Sequence, residues 1–509
     1  MGAYSVAEAP PFVPRWAGAR TARVVEGLPG PVNRLARGRS RAHPAWRWVL
    51  LAAYAAQLVV VAVRHEPWFD EAQAWLLARD LSLWDLLAGQ LRYEGTPGLW
   101  HLLLLPLAKL GAPYASMQAL AVAVALGGAY VLVRHGPFPL PVTALLLFSF
   151  VIGYQYAVVA RSYVLLPLLL FLLARVWPDR ATRVTRLTVL LVLLANVSVH
   201  GLLIAGTLAA LHLWERWRER HHMHPALARR HVQAAAGLAA LGALLVAQLW
   251  PPPDLLIGGD TNLDVVTWLP TGARVYNSAL TGSFLFSGLA VAMSGWWFHR
   301  AGTLALWVLP TAALLGLSVV KYHNYWHDGV PFLVWVFVYW VSLERWPADD
   351  LTRRWARLVG LAALSGVLVV HAVWWANSAS HDVVRPYSAS PAAAAYLADE
   401  RLVDGTVWAT GFHAFGIQPY FDRNIFDNYA AGDAAYWHWS DPPLLEESRR
   451  AILDAQPDTI VWGVKFPRQR RIPNIRGYEV AAAFDGDVFW KNRVVERDAF
   501  VILRRTADR

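Results

Sequence analysis

Two adjacent carboxylates follow a long apolar run in the segment "VRHEPWFDEAQAWLLARD", residues 63–80. Asp70 and Glu71 stand close to the end of that run, together with His65 and Trp68. A carboxylate beside a membrane surface can act as the general base that takes a proton from an acceptor hydroxyl, or as a metal ligand. We therefore predict that Asp70 and Glu71 are catalytic and that His65 and Trp68 bind substrate.

The same segment has the features of a helix start. Pro67 precedes the acids, Asp70 is a favourable N-cap residue, and Gln73 follows with the spacing of a capping box. Such a helix is expected to lie along the membrane surface. The structural and the catalytic interpretations of Asp70 are compatible, so both stay open.

An aromatic and an acidic side chain recur where the chain returns to the membrane, in "RYEGTPGLW", residues 92–100. We predict that Tyr93 and Glu94 bind substrate as the wall of a cleft against which a sugar ring stacks. The alternative is that they are an ordinary interfacial aromatic residue and a solvated acid.

One arginine stands between two apolar runs in "YQYAVVARSYVLLPLL", residues 154–169. A charge at membrane depth usually has a partner or a function. We predict that Arg161 binds substrate together with Tyr163, because the planar guanidinium group matches a phosphate. The alternative is a snorkelling arginine at a helix end, and the sequence leaves open on which side of the membrane Arg161 lies.

A histidine interrupts the apolar stretch "NVSVHGLLIAG", residues 196–206. His200 is predicted to contact substrate, although a histidine in such a place more often forms a hydrogen bond between helices.

Basic residues cluster in "VVKYHNYWHDGVPF", residues 319–332. We predict that Lys321, His323 and His327 form a cationic cup for an anionic leaving group. The i,i+4 spacing of the two histidines also permits a divalent metal on a helix, whereas the Gly and Pro residues that follow favour a loop.

The composition indicates a polytopic membrane protein. Of the 509 residues, 56% are hydrophobic and only 16% are charged, whereas a soluble domain carries about 25% charged residues. The net charge of +10 comes largely from arginines in short loops and a tail, which argues against nucleic-acid binding. Cysteine is absent, which excludes disulfides, thiolate catalysis and Cys-ligated metals.

Hydropathy and charge predict the organisation of the chain. Residues 1–46 are a disordered basic cytoplasmic tail, and residues 47–376 form a membrane module of about 11 transmembrane helices. By the positive-inside tendency, residue 64 emerges on the outer face. The outer loops are 64–97 and 251–283. After the first run at 46–63, the apolar runs are 98–111, 115–133, 139–156, 162–177, 187–211, 232–250, 284–298, 302–320, 330–346 and 357–376.

The distribution of arginines tests this topology. The arginine-rich loops 214–231 and 345–357 fall on the cytoplasmic side, and an odd number of helices places the C-terminus outside. Arg180, Arg183 and Arg186 would fall outside in a simple count. A re-entrant segment at 98–111 would remove that conflict.

Residues 377–509 are predicted to form an extracytoplasmic α/β domain. The segments 406–412, 458–464 and 498–505 have the pattern of strands, and 442–456 has the pattern of a helix. The aromatic segment 413–439 either fills the core of this domain or contacts an acceptor.

The segments "HEPWFDEAQAW", "RYEGTPGLWHLLLLPLAKLG", "ARSYVLLPL" and "KYHNYWHDG" resemble those of the GT-C glycosyltransferase superfamily. The most similar branch contains bacterial transferases related to protein O-mannosyltransferases and the aminoarabinose transferase of lipid A. The resemblance covers residues 46–376. One departure is that this branch often has an Arg-His pair where this chain has "YWHDG".

The resemblance implies chemistry on sugars that are carried by polyprenyl phosphate. It places the acid of the first outer loop, here Asp70 with Glu71 beside it, next to the acceptor. It also implies that basic residues at outer helix ends, here Arg161, Lys321 and His327, hold the donor phosphate.

The expected function is therefore that of an inverting membrane glycosyltransferase in the bacterial cytoplasmic (inner) membrane, with a cytoplasmic N-terminus. Its partners would be the lipid bilayer, a polyprenyl-phosphate-linked sugar donor, and an envelope glycan, lipid or protein as acceptor. The sequence identifies no cofactor with certainty, and it permits a divalent metal. The alternatives are a transporter or flippase for a lipid-linked or envelope substrate and a non-catalytic assembly factor for envelope polysaccharide.

Overall fold

The computed structural model describes residues 44–256, 261–346, 351–429, 434–440, 448–465 and 474–506. In these ranges the chain is mainly helical, and its strands lie in the C-terminal part, which confirms the predicted fold class at this level. The α-helices are α1 (Pro44–Arg64), α2 (Phe69–Asp80), α3 (Leu91–Glu94), α4 (Leu99–Lys109), α5 (Ser116–His135), α6 (Leu140–Leu147), α7 (Leu165–Val176), α8 (Val184–Ala195), α9 (Val199–Arg218), α10 (Pro225–Leu249), α11 (Val265–Leu280), α12 (Phe284–Ala301), α13 (Leu304–Val320), α14 (Gly329–Arg345), α15 (Leu351–Val384), α16 (Ser390–Asp399) and α17 (Ser448–Ala455).

Five helices among the described residues are long and apolar enough to cross a membrane. Helices α11 and α12 are bent by 84° relative to each other, and they give a sixth crossing if they count as one span. Shorter apolar helices include α4, α8 and α13. These features confirm a helical membrane protein. The five long stretches are Ala45–Arg64, Ser116–His135, Ser162–Asp179, Pro225–Leu249 and Arg353–Val384.

The prediction of one continuous helix over 139–156 is wrong. Helix α6 ends at Leu147, a single π-helical turn covers Val151–Gln155, and irregular chain follows. Gly153 permits this path, because a Cβ there would come within 2.7 Å of the Leu147 carbonyl oxygen and 2.9 Å of the Trp375 ring. Because of this break, the backbone N–H groups just before Arg161 are outside a helix and can donate hydrogen bonds to side chains of other elements.

The run 187–211 also does not form the single helix that was predicted. It is divided between α8 and α9, which are connected by a tight turn at 196–198. The Ser198 hydroxyl accepts a hydrogen bond from the Gly201 N–H (3.2 Å) and caps α9. A side chain at position 201 would overlap the Leu194 carbonyl oxygen, so this turn requires glycine.

The two predicted outer loops both contain helices. In the second, α11 is capped by Asp264, whose Oδ1 accepts a hydrogen bond from the Val266 N–H (3.1 Å). In the first, α2 begins at Phe69, so the prediction that Asp70 and Gln73 cap this helix is wrong. Trp68 is the N-cap residue, and its N–H donates to Glu71 Oε2 (3.3 Å).

Helix α2 does not have the single apolar face of a helix that lies along a membrane surface. Nine of its residues are buried, among them Glu71 and Gln73, and they are distributed around the whole helix. It packs on α4 and on the 3₁₀-helical segment Phe412–Tyr420 of the C-terminal part. The C-terminal part therefore supplies much of the cover of α2.

The C-terminal part contains a four-stranded sheet of order β1-β2-β6-β3 and a hairpin of β4 and β5. Strands β1 and β2 are parallel, and β6 is antiparallel to β2 and β3. The predicted strands correspond to β1, β2 and β6, and the predicted helix to α17; its first residues, 442–447, lie outside the described residues. The strands are β1 (Val407–Thr410), β2 (Thr459–Val464), β3 (Tyr478–Phe484), β4 (Asp487–Trp490), β5 (Arg493–Arg497) and β6 (Ala499–Arg505).

The aromatic segment 413–439 mainly fills the core. Phe415, Phe426, Tyr429 and Trp437 are buried and pack with each other. The core interpretation therefore holds for these side chains.

The β4–β5 hairpin anchors this part of the chain to the helices. The Lys491 ammonium group lies 4.2 Å from the Trp374 ring centre and donates to the Ser278 carbonyl oxygen (2.5 Å). The Ser278 hydroxyl in turn donates to Asp328 Oδ2 (2.5 Å). Burial raises the pKa of Asp328 and lowers that of Lys491, so each depends on the other to remain charged.

Candidate functional site

Asp70 and Arg161, predicted separately as site residues, form an ion pair. The Arg161 Nη1 atom lies 2.6 Å from Asp70 Oδ2, and both side chains are about one quarter exposed (27% and 24%). The second oxygen of Asp70, Oδ1, accepts no hydrogen bond from the described residues. Arg161 therefore lies on the same side as residues 64–97, and Asp70 Oδ1 remains without a partner among the described residues.

Glu71 has a different environment from its neighbour Asp70. Its side chain is fully buried, and Oε1 accepts a hydrogen bond from the Ala160 N–H (2.6 Å). Oε2 accepts from the Trp68 N–H and lies 3.0 Å from His65 Nε2. Glu71 thus ties the start of α2 to the backbone beside Arg161. This is the geometry of a positioning residue, and its predicted catalytic role stays a prediction.

His65 lies between two buried carboxylates. Its Nε2 faces Glu71, and its Nδ1 lies 2.9 Å from Asp382 Oδ2, which also accepts a hydrogen bond from the Tyr154 hydroxyl (3.1 Å). Burial lowers the pKa of His65, but the attraction of Asp382 and Glu71 outweighs it and raises the pKa well above 6.5. His65 is therefore an imidazolium that holds the outer loop to α15, rather than an open substrate contact.

Sequence reasoning missed Asp382. It follows the last predicted apolar run, in a stretch that was assigned to the outer domain. The helix of the apolar run 357–376 continues to Val384, so Asp382 lies in its last turn. The signal that could have found it is a carboxylate shortly after a long apolar run, because acids at such positions usually have partners.

Three further predicted residues form one aromatic wall next to Arg161. The Tyr163 ring stacks on Tyr156 with centres 5.3 Å apart, and its hydroxyl lies 3.5 Å from His200 Nδ1. The His200 and His327 ring centres are 4.4 Å apart. The Arg161 guanidinium lies 5.8 Å from the Tyr163 ring centre, so the wall and the ion pair are one site.

The histidines of the predicted cationic cup are not cations in this site. Burial lowers the pKa of His327 well below 6.5, and the positive charge of Arg161 lowers it further. Burial also lowers the pKa of His323. His327 is therefore a neutral hydrogen-bonding group, and Arg161 is the cation beside it. Lys321 is exposed at the end of α13, and its predicted contact with the donor phosphate stays a prediction.

The i,i+4 spacing of His323 and His327 does not lie on a helix. Helix α13 ends at Val320, and His327 belongs to the 3₁₀ turn Tyr325–Asp328. His323 Nε2 instead lies 3.6 Å from Asp328 Oδ1. In the part of the chain that the structure describes, no three metal-ligating side chains converge.

Glu94 is a second acid close to the ion pair. Its Oε1 accepts hydrogen bonds from Gln73 Nε2 (2.8 Å) and Trp439 Nε1 (3.1 Å). Burial raises the pKa of Glu94 to about 7 against the effect of these hydrogen bonds, and the charge of Asp70 raises it further. Glu94 is thus the second candidate for a general base. Sequence reasoning missed Gln73 and Trp439 as its partners.

The two remaining predicted residues are placed apart from the ion pair. Trp68 is buried and packs on Trp326, with ring centres 4.9 Å apart. Tyr93 donates from its hydroxyl to the Asp254 carboxylate (3.0 Å), and its ring lies 4.3 Å from that of His438. Trp68 supports the site by packing, whereas Tyr93 faces a separate cavity.

Comparison of the chain with models of protein families, with curated proteins and with solved structures gives no match.

Proposed function

We propose that this protein is a membrane glycosyltransferase that moves a sugar from a polyprenyl-phosphate donor to an acceptor on the outer side of the bacterial cytoplasmic membrane. The observation that carries the proposal is the Asp70–Arg161 ion pair, whose two side chains are about one quarter exposed. It sets a carboxylate with one free oxygen beside a guanidinium group. These two groups match the two ends of the reaction, a hydroxyl that must lose a proton and a phosphate that must leave with negative charge.

The reaction follows from these positions. The acceptor hydroxyl attacks the anomeric carbon, its proton passes to Asp70, and the bond between the anomeric carbon and the phosphate oxygen breaks. Polyprenyl phosphate leaves with both electrons of that bond, and attack from the opposite face inverts the anomeric centre. Arg161 and Lys321 stabilise the charge on the phosphate, and neutral His327 donates a hydrogen bond to it.

We further propose eleven membrane crossings, with the first outer loop and the C-terminal part on the same, outer face. The pairing of helix ends supports an alternating path. Arg180 forms an ion pair with Glu215 (2.6 Å), which brings the start of α8 to the end of α9. Lys109 at the end of α4 donates to the Arg79 carbonyl oxygen (2.6 Å), so α4 stays at the outer face. The crossing elements are α1, α5, α6 with the π turn, α7, α8, α9, α10, α12, α13, α14 and α15.

Single cysteines can test this topology, because the protein has none of its own. Ser82→Cys and Asp404→Cys should react in intact cells with a maleimide that does not cross membranes. Thr182→Cys and His222→Cys should react only after the cells are opened. Labelling of Thr182→Cys in intact cells would contradict the proposed path. All four positions are exposed in the structure.

The transferase proposal is tested with purified protein in lipid nanodiscs and a panel of polyprenyl-phosphate sugars. We expect release of polyprenyl phosphate from one class of donor when an envelope extract is added. Arg161→Ala should weaken donor binding by about 1.5–3 kcal/mol, the range for a charged hydrogen bond. Asp404→Asn, at an exposed position outside the ion pair and the aromatic wall, serves as the control.

The same assay distinguishes the rival function. A transporter or flippase would move the lipid-linked sugar between the leaflets of a proteoliposome and leave the sugar–phosphate bond intact. Movement of labelled donor without release of polyprenyl phosphate would therefore replace the transferase proposal by the rival one.

A further inference from the structure

An open cavity of about 430 Å³ lies between the first outer loop and the C-terminal part. Asp70 and Arg161 do not line it. The cavity lies next to the Asp70–Arg161 ion pair. Glu94 and Trp439 form a hydrogen bond beside Asp70. These two residues directly follow the cavity residues Tyr93 and His438 in the chain. Sites for small molecules usually measure about 300–1,000 Å³, so the cavity is large enough for a ligand.

Four aromatic rings line the cavity, those of Trp84, Tyr93, Tyr436 and His438. Trp84 is 77% exposed. Tyr93 is fixed at both ends, by its hydrogen bonds to Asp254 and by the ring of His438. Exposed aromatic rings are surfaces on which the apolar faces of sugar rings stack.

Gln90 is a buried side chain of the cavity lining. It is only 5% exposed, and a hydrogen bond from its side chain to Glu94 lowers the pKa of that carboxyl. Gln90 thus connects the cavity to the acid beside Asp70. Gln90 ends the π-helical turn Asp85–Gln90, a rare conformation that is frequent at functional sites.

The charges around the cavity offset each other. Its lining has one carboxylate, Asp85, and one guanidinium group, Arg92, which donates to the Trp250 carbonyl oxygen (3.3 Å). A ligand with many hydroxyls and no net charge suits such a surface, whereas an anionic ligand would require a surplus of cations. We propose that this cavity binds a short neutral oligosaccharide. Its role as the acceptor subsite rests on the transferase proposed above, whereas the binding itself does not.

Gly89 provides a specific test of the site. It lines the cavity, it is exposed, and a Cβ at this position would meet no atom within 4 Å. Gly89→Leu should therefore fill the cavity without displacing the chain. Gly288→Leu is the matched control, because Gly288 is also an exposed helical glycine with no atom near its Cβ, but lies in α12.

The experiment measures binding of the full-length protein in nanodiscs to an array of neutral and acidic oligosaccharides. We expect the wild type to bind neutral glycans, and Gly89→Leu and Trp84→Ala to weaken that binding about tenfold or more, as expected when a stacking partner is blocked or lost. Gly288→Leu should bind as the wild type does.

Three results would overturn the proposal: no binding by the wild type to the array, a preference for acidic glycans, or equal binding by Gly89→Leu and Gly288→Leu. None of them affects the transferase, which the donor assay tests separately. Binding to neutral glycans by a protein that transfers no sugar would keep the site and remove only its acceptor role.

Discussion

Asp70→Asn is expected to fold as the wild type does and to lose about 100-fold or more of its transfer rate, the contribution of a general base. The amide of Asn keeps the shape of the side chain and can still accept a hydrogen bond from Arg161, but it cannot take the proton of the acceptor hydroxyl. The measurement is release of polyprenyl phosphate under single-turnover conditions, with donor affinity determined separately. Asp404→Asn should show the wild-type rate.

Glu94→Gln provides the decisive comparison, because Glu94 is the other acid near the Asp70–Arg161 ion pair. If Asp70 is the base, Glu94→Gln should retain most of the rate, since Gln can still accept hydrogen bonds from Gln73 and Trp439. A near-normal rate in Asp70→Asn together with a collapsed rate in Glu94→Gln would assign the proton transfer to Glu94. Normal rates in both variants would leave Asp70 with a structural role and show that neither acid is the general base.

The sequence predicts which segments carry the site, but not how they meet. Asp70 follows an apolar run and Arg161 interrupts another, so each was recognisable from its own surroundings. Their ion pair depends on the break after α6, where apolar residues continue through an irregular backbone. Hydropathy does not change at that break, so no pattern marked it. The interruption at 196–198 did carry a signal, because Asn196 and Ser198 are polar and Ser198 is a favourable N-cap residue, but that signal was overlooked.

The C-terminal part shows the same limit. Strands β1, β2 and β6 are rich in apolar and β-branched residues, and their positions were predicted. Strand β3, "YEVAAAF", carries three alanines, which have little strand preference, and was missed. The role of α2 was also beyond prediction, because its burial depends on the segment Phe412–Tyr420, more than three hundred residues later in the chain.

The buried cluster of Glu71, His65 and Asp382 leads to the second large expected effect. His65→Gln should lower the free energy of unfolding by about 3–5 kcal/mol, the range for removing one partner of a buried ion pair. Two carboxylates that both pack on the imidazolium would then lose their shared positive charge. Thermal unfolding in detergent micelles measures the effect. His299→Gln, at an exposed position in the last turn of α12, is the control.

The pH dependence separates loss of charge from loss of packing. Because the pKa of His65 in the folded protein lies well above 6.5, the folded state keeps a proton that the unfolded state releases. The stabilisation is therefore fully present below pH 6.5 and is lost as the pH rises through the raised pKa. The melting temperature of the wild type should fall over this range, and that of His65→Gln should fall less steeply. Glu94 also has a raised pKa, but it is present in both proteins, so its contribution cancels in the comparison.

Glu71→Gln tests whether the cluster also positions the ion pair. It leaves the contact of His65 with Asp382 intact, so the loss of stability should be smaller than in His65→Gln. The glutamine cannot accept with both of its terminal atoms, so either the Ala160 N–H or the His65 contact is lost. Because Ala160 precedes Arg161, donor affinity should fall in Glu71→Gln while the pH profile of transfer, set by Asp70, keeps its shape. A changed pH profile of transfer with unchanged donor affinity would instead make Glu71 part of the proton transfer. In the unfolding experiment, equal dependence of the melting temperature on pH in the wild type and in His65→Gln would show that His65 is not the charged centre of the cluster.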